Sequence, residues 1–273
     1  MQRNLRVIRI FLATLFFVAA VAYLAISPAV HPMARISRDV QIIPSAITVT
    51  MGVTLVWLSI TFIFGRVYCS SVCPVGTLQD IVTWICRRLR PKRRFRYQQA
   101  RKVRYHILVV YVICLLAGVV AVPLWIEPWN IMGNICSAVN PDAARATWIE
   151  LGIGTATGIA AGIVSVILIV VCAVFTGRGF CNTVCPVGTA LSIIEPHCLY
   201  HIEINPDKCT GCLKCEDICP AQCIKVVSRY VDNSRCVRCF DCTGVCEDDA
   251  IRLQPNLNRP ASPLMRKVKQ RQP

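Results

Sequence analysis

Four stretches of this chain contain no Asp, Glu, Lys or Arg over a membrane-spanning length: Ile10–Val30, Val40–Gly65, Ile107–Ile126 and Leu151–Gly177. Crossing about 30 Å of hydrocarbon takes roughly 20 apolar residues in a helix, so each stretch reads as a transmembrane helix. A mean hydropathy of +0.52 and only 16% charged residues set the chain apart from ordinary soluble domains. The basic opening, the apolar run behind it and the small residues Ala20-Val21-Ala22 also resemble a signal peptide. The run is longer than the usual signal core, which favours a retained anchor.

Positive charge orients the spans. Arg66, Arg87, Arg88, Arg90, Lys92, Arg93, Arg94, Arg96, Arg101, Lys102 and Arg104 lie between the second and third spans, against the single acid Asp80. The loop after the first span carries only Arg35 and Arg38, and the loop after the third only Arg145. Basic loops stay on the inner side, so the long loop and both termini are expected in the cytoplasm. The expected location is the bacterial cytoplasmic (inner) membrane, crossed several times. That topological role and contact with lipid headgroups account for the +15 net charge, and no nucleic-acid fold pattern accompanies it.

Residues 201–253 differ in kind, with nine acids against seven bases inside a strongly basic chain. They hold Cys209-x2-Cys212-x2-Cys215-x3-Cys219-Pro220 and Cys236-x2-Cys239-x2-Cys242-x3-Cys246, each cysteine displaced by 27 residues. Bacterial two-cluster ferredoxins use this spacing, in which three thiolates from one tight loop take three corners of a cubane and the other repeat supplies the fourth. Cys209, Cys212, Cys215 and Cys246 are therefore expected on one [4Fe–4S] cluster, and Cys236, Cys239, Cys242 and Cys219 on the other. Zinc sites also pair Cys-x2-Cys, but as two pairs separated by a longer stretch. Glu247 stands where the first repeat has Pro220, so the second turn is expected to differ in shape. The negative balance of this segment suits contact with the basic loop.

A second repeat runs through the apolar half. Residues 65–82, GRVYCSSVCPVGTLQDIV, match residues 177–194, GRGFCNTVCPVGTALSII, at an offset of 112. Each copy closes a helical hairpin at the cytoplasmic end, so the two hairpins are parallel repeats about an axis along the membrane normal. The expected fold is thus a membrane α-helical bundle of four transmembrane helices, built as two parallel hairpins, plus a small α+β bacterial-type ferredoxin domain. Its limits are 1–199 for the membrane part, 200–254 for the ferredoxin part and 255–273 for a basic tail. Leu78, Ile81, Val82, Ile85 and Leu89 recur at helical spacing and predict an amphipathic helix at the inner interface. Gly154, Gly158 and Gly162 mark a close-packing helix face.

The pseudo-symmetric hairpins bring Cys69, Cys73, Cys181 and Cys185 into consideration as one additional metal centre of iron–sulfur type. Cys-x3-Cys spans one helical turn, and Pro74 and Pro186 begin helices whose N-terminal dipoles favour thiolate. The alternatives are two redox-active dithiols or two structural turns. Cys86 and Cys198 share the 112-residue offset and read as packing residues sooner than ligands. Cys114 and Cys172 fall within spans and read as small apolar residues, Cys136 is expected to face outward, and Cys223 reads as a core thiol.

On these motifs the chain resembles the NapH family of ferredoxin-type membrane proteins and the related MauN proteins. The resemblance implies electron transfer from membrane quinol through iron–sulfur clusters to a periplasmic reductase or dehydrogenase pathway, as the electron-transfer component of a quinol dehydrogenase. It implies lipid, the quinone pool and a periplasmic ferredoxin-type or cytochrome partner as its surroundings. A different class remains open, an electron-donating factor for maturation of a metalloprotein. The segment Trp125-Ile126-Glu127-Pro128-Trp129 is the candidate quinone site, an acid between two aromatics on an outer loop, where aromatics also serve as a membrane belt. No Cys-x2-Cys-His or nucleotide fingerprint occurs.

Overall fold

The computed structural model describes residues 2–26, 51–90, 94–99, 102–119, 125–139 and 155–255. The apolar part contains α1 (Gln2–Ile26), α2 (Met51–Phe64), α3 (Tyr68–Ser71), α4 (Pro74–Leu89), α5 (Val103–Leu116), α6 (Pro128–Val139), α7 (Thr155–Thr176), α8 (Gly179–Thr183) and α9 (Pro186–Ile194). Among the described residues two helices are long and apolar enough to cross a membrane, Asn4–Leu24 and Ile159–Thr176. Gly52–Phe64 and Val103–Leu116 are shorter apolar helices. The start of the second run, the charges at Arg35, Arg38, Lys92, Arg93, Arg101 and Arg145, Gly154, and the basic tail from residue 256 lie outside the described residues. In the third run the helix stops at Leu116, where Gly118 takes a left-handed φ of +72°.

The 112-residue repeat is a repeat of structure. Gly65 and Gly177 close α2 and α7 in the left-handed region, at φ +80° and +63°, with their amides donating to Thr61 and Ala173 carbonyls. Such a cap is cheap for glycine and strained for a residue with Cβ. A short helix follows in each copy, then a cysteine as N-cap and a proline as the first residue of α4 or α9. The missing proline N–H costs nothing there, because that position has no intrahelical acceptor. Of the Leu78–Leu89 stripe of α4, Ile81, Ile85 and Leu89 are exposed and Leu78 packs against the core, while Val75, Gln79 and Thr83 are buried.

The ferredoxin part adds β1 (Tyr200–Ile204), α10 (Lys214–Ile218), β2 (Ile224–Lys225), β3 (Tyr230–Val231), α11 (Asp241–Val245) and β4 (Ile251–Pro255). Strand β1 pairs antiparallel with β4, Ile204 opposite Ile251, and β2 pairs with β3, Ile224 opposite Val231. Its 27-residue repeat is visible in the backbone: Gly211 and Arg238, Leu213 and Phe240, Gln222 and Asp249 all have positive φ. Three displaced pairs of left-handed residues mean that both cysteine loops take the same path, which is how each gathers three thiols.

This part docks on the repeats and on the basic loop. Phe64 stacks on Tyr200 at 5.6 Å between centroids, and Leu199 N donates to Phe62 O. Arg87 donates to the Ile218 carbonyl, Phe95 N to the Asp217 carbonyl, and Arg94 pairs with Asp217 at 3.5 Å. The charge complementarity expected between the two segments is thus in part a set of backbone contacts from basic side chains.

Candidate metal centres

Cys69, Cys73, Cys181 and Cys185, two from each repeat, line one enclosed cavity together with Tyr68, Val75, Pro128, Phe180 and Val187. Each of the four is 4% exposed. Burial, with added repulsion from neighbouring thiolates, pushes the Cys73 and Cys185 thiols far above their ordinary range, and burial likewise pushes Cys181 up to about 11. Four cysteine sulfurs converging on one apolar chamber are the donor set of a thiolate-bound metal centre. Backbone geometry contributes as well: Gly188 N donates to Cys185 Sγ at 3.4 Å, across the first turn of α9. A Cβ on Gly76 or Gly188 would stand 2.3 Å from the carbonyl oxygen of Cys69 or Cys181.

The ferredoxin cysteines gather in two places. Cys219 lines one cavity with Cys236, Cys239 and Cys242. Cys215 is pushed up to about 12 by burial and then by Cys246, Cys209 and Cys212, which gather around it. The first set is buried throughout, whereas in the second Cys212 is exposed and Cys209 and Cys246 are half-buried. Cys223, read as a core thiol, stands 3.5 Å from Cys219 Sγ in the wall of the buried cavity.

Two arginines of the repeats tie the chamber to the buried ferredoxin set, and they do so by exchange. Arg66, from the first repeat, donates to the Cys181 carbonyl of the second at 3.2 Å, to Asn182 Oδ1 at 3.0 Å and to the Ser234 carbonyl at 3.2 Å. Arg178, from the second repeat, donates to the Cys69 carbonyl of the first, while its own amide donates to the Pro220 carbonyl at 2.9 Å. Both side chains are fully buried. Ser234 lies two residues before Cys236 and Pro220 directly after Cys219, so each arginine spans from one cysteine set to the other. Asp80 receives Arg178 through both oxygens, at 2.9 and 2.6 Å, and Arg9 at 2.6 Å. Sequence reasoning missed this role, although Gly-Arg repeats as strictly as the cysteines.

Arg238 performs a parallel task from the ferredoxin side. It donates to Phe64 O, Asn233 Oδ1, Tyr200 O and Glu195 Oε1, the last at 2.6 Å in a pair with neither side chain exposed. A Cβ on Gly65 would stand 2.6 Å from its Nε, so that glycine is required by space as well as by φ. Glu195, Cys198 and His201 offer ligand atoms within 4.8 Å of one another. Arg238 already supplies the positive charge there and donates to Cys198 Sγ at 3.3 Å, consistent with Cys198 as a packing residue.

In the Trp125–Trp129 segment Trp125 is exposed, while the residues from Glu127 onward turn inward. Pro128 forms part of the chamber wall, Trp129 packs on Tyr23 at 6.0 Å, and Glu127 is 5% exposed with Asn130 donating to it. Burial pushes the Glu127 carboxyl up to about 7. Cys136, expected on the outer side of the membrane, is 5% exposed within the hydrophobic cluster that includes the chamber cysteines.

Comparison with known proteins bears on these cavities. A 4Fe-4S binding domain family model matches residues 47–93 and again 159–197, one match per Cys-x3-Cys-Pro repeat, and a second 4Fe-4S binding domain model matches residues 201–224. The ferredoxin-type protein NapH of Haemophilus influenzae is 28% identical over 65% of this chain and 55% of its own length. The methylamine utilization ferredoxin-type protein MauN of Paracoccus denitrificans is 27% identical over 65% of this chain and 56% of its own. A Methanocaldococcus jannaschii protein, MJ0749, is 25% identical over 92% of this chain and 88% of its own. The match therefore covers about half the length of the NapH and MauN relatives. No solved structure matches the chain. The resemblance to NapH and MauN ferredoxin-type proteins holds, and the chain carries 4Fe-4S binding domains.

Proposed function

We propose that the chain is a membrane-embedded iron–sulfur electron carrier that accepts electrons from membrane quinol and passes them to a periplasmic redox partner, a ferredoxin-type protein or a cytochrome. The observation that carries this reading is the contiguity of the cysteine sets: the four-cysteine chamber is joined by Arg66 and Arg178 to backbone beside Cys219 and Cys236. In this reading Cys69, Cys73, Cys181 and Cys185 hold one cluster, Cys219, Cys236, Cys239 and Cys242 a second, and Cys209, Cys212, Cys215 and Cys246 a third. When bound, such clusters supply one-electron redox chemistry at potentials set by burial, charge and hydrogen bonding.

What the chain itself supplies is placement. Apolar walls at Phe180, Val75 and Val187 keep water from the chamber, and the buried arginines hold the two repeats and the ferredoxin loops in one register. Exposed Cys212 marks the set nearest to solvent, on the side that this proposal makes cytoplasmic. Membrane crossing with both termini cytoplasmic belongs to the same proposal, supported by the apolar helices Asn4–Leu24 and Ile159–Thr176, the uncharged runs and the basic loop. The test is addition of a menaquinol or ubiquinol analogue to the full chain in lipid vesicles, with reduction followed by electron paramagnetic resonance. Reduction of the clusters is expected. Clusters that ignore the quinol while a soluble reductant reduces them would overturn the quinol reading.

A further inference from the structure

The two repeats do not present the same chemistry to the chamber. Gln79 stands on α4, and the position 112 residues later, on α9, is Leu191. Both are buried, Gln79 completely and Leu191 at 2% exposure. Gln79 Oε1 lies 3.1 Å from Cys181 Sγ, while its Nε2 is buried with no hydrogen-bond partner. Leucine offers neither donor nor acceptor.

An unsatisfied buried amide donor is destabilising, because it has given up its hydrogen bonds to water. The direction in which a glutamine amide faces is fixed by what its neighbours can donate or accept. Against a thiol, which donates, the carbonyl oxygen turns to the sulfur and Nε2 is left over. Against a metal-bound thiolate, which only accepts, a half-turn of the amide places N–H on the sulfur and satisfies the orphaned group. We propose that Gln79 Nε2 donates to Cys181 Sγ when that sulfur is a metal ligand, making Gln79 the positioning residue that raises the reduction potential of the chamber centre. A hydrogen bond to a ligand sulfur withdraws electron density from the metal and favours the reduced state. The neighbouring Asp80 is held by Arg178 and Arg9, which fixes the turn of α4 carrying Gln79. Pseudo-symmetry is thereby broken in one direction, with a donor for the second repeat's cysteine and an apolar side chain at the equivalent place in the other half.

The inference rests on the reading that the chamber holds an iron–sulfur centre. Full-length protein, Gln79→Leu, Gln79→Met and Leu191→Gln are purified anaerobically, assayed for iron and titrated by potentiometry with paramagnetic resonance detection. The chamber signal is the one absent from Cys69→Ser. Gln79→Leu is expected to keep its iron and to shift the midpoint of that signal alone to lower potential, while Leu191→Gln shifts it upward. Where Gln79→Leu loses chamber iron, the isosteric Gln79→Met gives the same comparison. An unmoved midpoint with iron retained, or an equal shift in every signal, overturns the role of Gln79. A parent protein with no chamber signal at all overturns the reading beneath it as well.

Discussion

Replacing Asp80 by Asn tests how the two repeats are locked together. The substitution keeps the shape and one acceptor oxygen but removes the charge that faces Arg178, whose side chain is 0% exposed, and Arg9, whose side chain is 8% exposed. Breaking a buried ion pair costs about 3–5 kcal/mol because the remaining charge is stranded. The Asp80 side chain is 21% exposed, so solvent screening places the cost near the lower limit, about 3 kcal/mol. For a chain of this size that corresponds to a fall of about 6–12 °C in Tm. Thermal unfolding in detergent measures it, and Arg178→Met supplies the cycle: with only Arg9 left facing it, Asp80→Asn should cost less than it does in the parent. Burial alone would raise the Asp80 carboxyl, but Arg178 and then Arg9 outweigh it and hold it below the ordinary 3.8. A depressed carboxyl contributes stability above its unfolded value and loses it as pH falls through the folded one, so the difference from the parent should persist from neutral pH down to about pH 4 and close only below that. A Tm change under about 2 °C, or strictly additive single substitutions, would refute the reasoning.

Gly188→Ala places a Cβ 2.3 Å from the Cys181 carbonyl oxygen, and should deplete chamber iron while leaving the ferredoxin sites loaded; retention of all iron would argue against the chamber geometry. Glu127 is pushed up to about 7 by burial, opposed by the Asn130 hydrogen bond. A raised carboxyl stabilises below its unfolded value and loses that contribution as pH rises through about 7, so the parent should lose Tm relative to Glu127→Gln between about pH 5 and 8, and a pH-independent difference would reject it. Cys246→Ser should disturb the cluster assigned to Cys209, Cys212 and Cys215; spectra that lose only the Cys236, Cys239 and Cys242 cluster would reject the crossed arrangement.

Legibility followed locality. The 27-residue displacement of eight cysteines reappears as paired left-handed residues, because tight loops are set by spacing and by backbone conformation within a few positions. The 112-residue repeat likewise reappears as matched glycine caps and proline starts. Contacts that pair residues about 100 positions apart were beyond such reasoning. Asp80 reads as one acid in a basic loop, yet Arg178 and Arg9 are its partners. Gln79 is silent in any periodicity argument, since a single polar residue on a helix says nothing about which sulfur it faces. The Trp125–Trp129 segment reads as an outer loop because Ile107–Ile126 has the length of a full span. The helix ends before Gly118, and Pro128 stands in the chamber wall.

The claim on which the account depends is that Cys69, Cys73, Cys181 and Cys185 form one metal centre between the two repeats. Iron per chain in anaerobically purified, fully loaded protein tests it most directly, with Cys69→Ser and Cys181→Ser measured beside the parent. A chamber cluster of the cubane type predicts roughly twelve iron atoms in the parent and roughly eight in either variant, whereas roughly eight in all three would contradict it.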